Sequence, residues 1–215
     1  MELNLNDKNC IINLELGNAN MELFIKYQAE LKKSLKDNER RFWHSISVAI
    51  TAVNLADIYG ADRDNCLISG LLHDYCKSMT LDELFSNCDK YSVDLSEEDR
   101  KADGCIHGFL AAKMCKVKFD INDEIYDAIY YHTCGRPNMT ILEKIIYISD
   151  FIEPLRRFRD KVGDLRKLAF EDIDASIISA AEASITFLKN RKKFIHSNTL
   201  KTLEYYKKIV SERTR

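Results

Sequence analysis

Two prolines and seven glycines are the only strong chain breakers in these 215 residues. Sheets built from short strands need frequent turns, and turns need residues with unusual backbone freedom or a fixed φ. A chain with so little punctuation is committed to long elements and few reversals, so the expected class is all-α. Hydrophobic residues make up 46% and charged residues 31%, enough to fill one core and wet one surface. The length suits one sizeable domain. Residues 1–20 carry several Asn and no helical period and read as a peripheral or poorly ordered extension, with the domain proper running over 21–215.

From Met21 onward the helical signals are regular. A long segment from Phe42 to Tyr59 is apolar on one side and meets Gly60, where a helix C-terminus favours a left-handed residue. Asp64 to His73 predicts a second helix. The spacings Thr80–Glu83 and Thr140–Glu143 are those of capping boxes. Helices are expected near 107–117, 122–132 and 140–152. Asp172 is placed to cap another through Lys192, and Ser197 or Asn198 one more through Val210. The stretch 157–170 has the weakest pattern, and the basic run before Phe194 reads as a solvated helix end.

Composition also sets aside several classes of function. The net charge of −2 provides no broad basic field for nucleic acid. No apolar run reaches the length of a membrane span, and the N-terminus lacks a signal-peptide core, so a cytoplasmic protein with no membrane partner is expected. Seven cysteines are an odd number with no C-x-x-C pair among them, which argues against a disulfide framework and against a thiolate metal site. They read as reduced, small apolar residues.

The informative residues are polar ones on apolar faces. Ile125, Ala128, Ile129 and His132 fall on one helical stripe, as do Leu142, Ile145, Ile146, Ser149 and Asp150. His44 shares a face with Val48, Ala52 and Leu55, and His107 with Leu110, Ala111 and Met114. In "SGLLHDYCKS", His73 and Asp74 follow directly on an apolar run. A single histidine on such a face is ordinarily a hydrogen-bonded core residue. A buried carboxylate without a cation costs several kcal/mol, about 2–7 for a merely polar group and more for a charge, and the Asp150 stripe carries no Lys or Arg. Four histidines and two aspartates therefore need partners, and metal ligation satisfies all six. Imidazole with carboxylate and no thiolate suits iron, manganese, zinc or a similar divalent ion. Six ligands suit two ions, with Asp74 as the natural bridge, and two ions close together activate water against a phosphoryl group. The fifth histidine, His196, follows the basic run and is expected to be exposed.

The order His44, His73-Asp74, His107, His132, Asp150 resembles the HD-domain superfamily of metal-dependent phosphohydrolases. The segments "HSISVAITAVNLADIYGAD", "GLLHDYCKS", "HTCGRPNMTILEKIIYISDFIEPLR" and "LRKLAFEDID" are similar to its bacterial YqeK-type branch, over roughly Met21 to Tyr206. That resemblance implies a helical bundle with a dinuclear site and symmetrical hydrolysis of diadenosine tetraphosphate into two ADP by a metal-activated hydroxide. It places His44, His73, Asp74 and Asp150 on one ion and His107 and His132 on the second, with Asp74 shared. Iron is the expected metal, manganese or another divalent ion the alternative. It implies Asp74 and Lys77 as catalytic residues, and Lys77, His107, Thr133, Arg136 and Arg156 around the nucleotide. After "EPLRRF" the chain departs from the family's Pro-Gly turn, with Arg159-Asp160-Lys161 in its place. Specificity for another nucleotide, or a sensor that binds without cleaving, stays open from the residues alone, as does the oligomeric state.

Overall fold

The computed structural model describes residues 20–36, 38–155 and 162–213, and among these the chain forms eleven helices and no strand. In order they are α1 (Met21–Ser34), α2 (Glu39–Tyr59), α3 (Arg63–Leu72), α4 (Leu81–Lys90), α5 (Glu97–Lys101), α6 (Asp103–Phe119), α7 (Asp123–Tyr131), α8 (Ile141–Ile152), α9 (Val162–Glu171), α10 (Ile173–Asn190) and α11 (Ser197–Arg213). None is long and apolar enough to cross a membrane. The expected extension over 1–20 lies outside the described residues apart from Asn20, whose side chain accepts from the backbone N–H groups of Glu22 and Leu23 and caps α1.

Local chemistry sets the boundaries. Asn38, Asp62, Asn122 and Asp172 each accept from free N–H groups in the first turn of the helix that follows. The boxes at Thr80–Glu83 and Thr140–Glu143 are both reciprocal. A third, unanticipated box joins Ser96 to Asp99 and opens the five-residue α5, with aspartate doing what glutamate does in the other two. Gly60 ends α2 at φ 69°, a left-handed position that costs glycine nothing. α9 fills most of the stretch whose pattern was weakest. Its preceding loop, 156–161, lies outside the described residues, and with it Arg156 and the departure from the Pro-Gly turn.

α3 is the pivot of the fold. Cys66 through Leu72 are all buried, so it is covered on every side, as a helix apolar all round must be. α1, α2, α7 and α8 pack around it. α6 pairs with α7, while α10 packs on α8 and pairs with α11. Tyr206 of α11 is 1% exposed and its hydroxyl accepts from the Met139 N–H at 3.0 Å, which ties the last helix to the turn before α8. The six cysteines among the described residues are buried and free, as small apolar residues would be.

The approach of α2 to α3 depends on one missing side chain. A Cβ on Gly70 would lie 2.5 Å from the Ala49 Cα and 2.9 Å from its backbone nitrogen. Backbone cannot move aside as a side-chain tip can, so Gly70→Ala should destabilise the protein by about 1–3 kcal/mol through overpacking. The gain in helix propensity, about 1 kcal/mol, opposes this. Thermal unfolding should show a Tm lower by several degrees, at about 2–4 °C per kcal/mol for a chain of this size. An unchanged or raised Tm would mean the two helices can separate without loss.

Candidate metal centre

Five helices deliver the polar residues to one place at the end of α3. His44 comes from the second turn of α2, His107 from the second turn of α6 and Asp150 from the last turn of α8. His73 is the residue at which α3 ends, and His132 ends α7 in the same way. Asp74 follows His73 and is 2% exposed, and the four histidines are between 0% and 8% exposed. All six candidates read from the sequence therefore meet at one place, five of them buried and Asp150 partly so.

The two oxygens of Asp74 face two different groups. Oδ2 lies 3.7 Å from His44 Nε2 and 3.7 Å from His73 Nε2. Oδ1 lies 3.1 Å from His107 Nε2 and 3.8 Å from His132 Nε2. Asp150 Oδ1 sits on the Oδ2 side, 3.0 Å from His44 Nε2 and 3.8 Å from His73 Nε2. Two sets of ligand atoms fall within 4.8 Å of one another: His44, His73 and Asp150, and His73, Asp74 and His132. His107 Nε2 adjoins the second set, 3.1 Å from His132 Nε2.

Hydrogen bonds fix which nitrogen points inward. His73 Nδ1 donates to the Gly70 carbonyl at 2.8 Å, and His132 Nδ1 to the Ile129 carbonyl at 2.7 Å. His44 Nδ1 is 3.1 Å from the Glu153 carboxylate. Each contact leaves Nε2 as the inward atom, the arrangement in which an outer partner orients a ligating imidazole. His44 Nε2 and His73 Nε2 are buried without a hydrogen-bond partner. Buried polar atoms are rarely left so, since each costs about 1–3 kcal/mol. A divalent cation accepting both lone pairs fits those orphaned nitrogens, and the nitrogen and oxygen donor set suits a borderline or hard ion.

The electrostatics favour neutral donors at three of the four histidines. Burial and the Lys77 charge push His107 down to about 4, and burial and His73 push His132 down to about 4, so both are neutral donors at pH 7. Burial likewise lowers His73. Burial opposes the charge on Asp74, yet Lys77 and the neighbouring histidines hold its carboxyl well below the usual range. Burial also opposes a charge on His44, but the Asp150 and Glu153 carboxylates lift it to about 9, so without a metal His44 is protonated at pH 7 and must release that proton to ligate.

The substrate-side expectations divide. Lys77 lines the cavity beside the cluster, with Nζ 2.9 Å from His107 Nε2 and 3.7 Å from Asp74 Oδ1. Thr133 lines it as well, its hydroxyl 2.9 Å from His132 Nε2. Arg136 does not join them. Its Nε donates to Glu143 at 3.0 Å and its Nη2 to both Glu143 and Asp127, while the guanidinium lies over the Tyr131 ring. Glu143 is 1% exposed and needs that cation, which occupies Arg136 in the wall of the fold. Arg156 lies outside the described residues. His196 is a correction too: it is 7% exposed and lines the cavity, held by Nε2 to Asp99 at 2.9 Å and by the Asn198 N–H on Nδ1 at 3.1 Å.

Two residues at the centre escaped the sequence reading. Arg41, three residues before His44 on the same face of α2, donates to Asp74 Oδ2 at 3.1 Å and lines the cavity. Glu153, three residues after Asp150, is 1% exposed and holds His44 from behind. In each case the signal was a charge one helical turn from a ligand.

The HD domain family model matches residues 41–155, just over half of the chain and all six converging residues. The chain is 37% identical over 167 residues to a protein of Halalkalibacterium halodurans named bis(5′-nucleosyl)-tetraphosphatase, symmetrical, with 76% of this chain and 87% of that one covered. A protein of the same name from Staphylococcus aureus is 35% identical over 173 residues, covering 78% and 87%. Among solved structures, a predicted HD superfamily hydrolase involved in NAD metabolism from Clostridium acetobutylicum superposes with a TM-score of 0.79 at 35% identity, over 85% of this chain and 96% of that chain. The chain belongs to the HD-domain family, in the branch whose relatives are named symmetrical bis(5′-nucleosyl)-tetraphosphatases.

Proposed function

We propose that the protein is a metal-dependent hydrolase that splits diadenosine tetraphosphate symmetrically into two ADP. The observation that carries this reading is Asp74: one buried carboxylate whose two oxygens each face a separate histidine set. The similarity to relatives named for that reaction supplies the substrate.

In this reading His44, His73, Asp74 and Asp150 hold one ion, His107, His132 and the shared Asp74 hold a second, and iron is the preferred metal with manganese an alternative. Divalent ions there supply Lewis acidity toward phosphoryl oxygens and make water nucleophilic at neutral pH. The chain's own part is to place the substrate and balance its charge. Lys77 and Arg41 present fixed cations at the cavity wall beside Asp74, where a polyphosphate needs donors in addition to metal. Thr133 offers a hydroxyl on the same wall. The departing ADP carries a terminal phosphate whose second pKa is about 6, so it leaves without a proton and no general acid is required. That agrees with a site rich in cations and ligands in which the histidines are occupied.

Protein purified without chelator should contain about two iron or manganese ions per chain by elemental analysis, and should convert diadenosine tetraphosphate to ADP as sole product. ATP with AMP would mean asymmetric cleavage and a different reaction. A clear preference for a mononucleotide in a substrate panel would move the assignment to another nucleotide phosphohydrolase. Tight ADP binding without turnover in the metal-loaded protein would make it a sensor.

Asp74→Ala should lose both ions and all measurable turnover; retention of two metals with full activity would overturn the bridge. Glu153→Gln keeps the shape but removes the charge behind His44. Metal affinity should fall about 10–100-fold, as for other outer partners of ligating histidines, visible as faster loss to a chelator. An unchanged rate of loss would leave Glu153 with a purely structural role.

A further inference from the structure

Arg136 stands away from the cavity, but the groups it binds belong to two of the helices that deliver ligands. Its Nε donates to Glu143 Oε2 at 3.0 Å, and its Nη2 to Glu143 Oε1 and, at 3.0 Å, to Asp127 Oδ2. The guanidinium also lies over the Tyr131 ring, 4.5 Å from its centroid. Asp127 and Tyr131 belong to α7, which ends at His132. Glu143 lies in the first turn of α8, two turns before Asp150 on the same face. One side chain therefore joins the helix that carries His132 to the helix that carries Asp150.

The anchors of this clamp are themselves fixed. Glu143 Oε2 also accepts the Thr140 N–H at 3.1 Å, so the carboxylate that Arg136 grips is tied to the start of α8. α11 holds the turn between the two helices from the other side. The Tyr206 hydroxyl accepts the Met139 N–H at 3.0 Å, and the Tyr205 hydroxyl donates to Asn138 Oδ1 at 3.1 Å. Buried ion pairs often add little to stability, because desolvation cancels much of the attraction, and their best-attested use is to fix one arrangement among several. A planar fork bonded to carboxylates on two helices does that, since neither helix can turn without loss of a charge-assisted bond. Ligating side chains need placement to within about 0.5 Å, a tolerance that a small rotation of α7 would exceed.

We infer that Arg136 is a positioning residue for the metal centre, holding α7 against α8 so that His132 and Asp150 present their ligand atoms together. This rests on the proposed function for the presence of two ions. The effect is unequal on the two ligand sets. α8 is also packed by α2, α3, α9 and α10, whereas α7 has α3 and α6 besides α8. Loss of the clamp therefore frees α7 before it frees α8. The ion on His107 and His132 loosens, and the ion on His44, His73 and Asp150 is kept. Arg136 does not line the cavity, so its loss acts on turnover through the metal and leaves substrate binding close to wild type.

The test is titration of the metal-free protein with Mn²⁺, read from the electron paramagnetic resonance signal of the free ion, alongside steady-state kinetics on diadenosine tetraphosphate. Wild type should take up two ions per chain. Arg136→Lys keeps a positive charge for Glu143 but has no fork to join it to Asp127. One ion should then bind as in wild type and the other about tenfold more weakly, with kcat lowered and KM within a few-fold of wild type. Arg136→Met with Glu143→Gln removes the buried charge together with its partner and keeps an acceptor for the Thr140 N–H. It should show the same loss of a single ion, which guards against a lysine variant that fails to fold. Equal weakening of both ions overturns the inference, because it means general loosening. A raised KM with both ions held as in wild type also overturns it and returns Arg136 to the substrate. Variants that match a two-ion wild type refute the clamp and leave the proposed function standing, whereas a wild type that takes up fewer than two ions refutes the two-ion site and the inference with it.

Discussion

A carboxylate 2% exposed is the constraint around which this fold is arranged. Removing an ion from water costs several kcal/mol even after the protein relaxes, and Asp74 is offset by fixed cations and by imidazoles that can donate to it or share a cation with it. Arg41 and Lys77 approach it from the cavity, and four imidazoles approach it from the core. Each of those groups needs support in turn. Backbone carbonyls one turn earlier orient His73 and His132, and Glu153 orients His44. Small residues make room: a Cβ on Gly108 would stand 2.9 Å from the His132 ring, so the glycine in α6 is what lets that ring lie where it does. The helices, packed by their apolar faces, converge on the end of α3, where the charge lies.

Four of the six converging residues, His44, His107, His132 and Asp150, were legible because burial leaves a periodic trace, and His73 with Asp74 because they adjoin at the end of an apolar run. A polar residue in phase with Leu, Ile and Val must either be paired or ligate, and Asp150 with no cation on its stripe forced the second choice. Helix ends were legible for a similar reason, since Thr80, Thr140, Asp172 and Gly60 act within one turn of sequence. The residues that were misread act across the fold. Arg136, expected from its loop to face phosphate, has its guanidinium engaged by Glu143 and Asp127, partners that helix packing and not the loop brings to it. His196 looked exposed beside a basic run, yet Asp99 and Phe109 come from elements about ninety residues earlier. α5 was missed because its signal is a single box over five residues, too short for a hydrophobic period to register.

The cavity wall shows the same division of labour between local and distant contacts. Phe194 is placed by residues 98–103 gripping the connection around it, and no pattern within the connection announces that. Residues 191–194 are exposed as composition suggests, but His196 beside them is buried. Only the tertiary structure shows that the exposed Phe194 also lines the cavity.

The spread of the six residues along the chain, from 44 to 150, has a consequence for assembly. The set His73, Asp74 and His132 needs α3 and α7 together, the set His44, His73 and Asp150 needs α2, α3 and α8, and the full centre needs α6 as well. A partly folded chain offers isolated, weak donors and the native chain offers all of them at once. Ligand that binds the native state and not the unfolded one adds RT ln(1 + [L]/Kd) to stability. Here that increment cannot be confined to one loop. It is spread over the five helices that carry the ligands, so metal occupancy is linked to the docking of those helices.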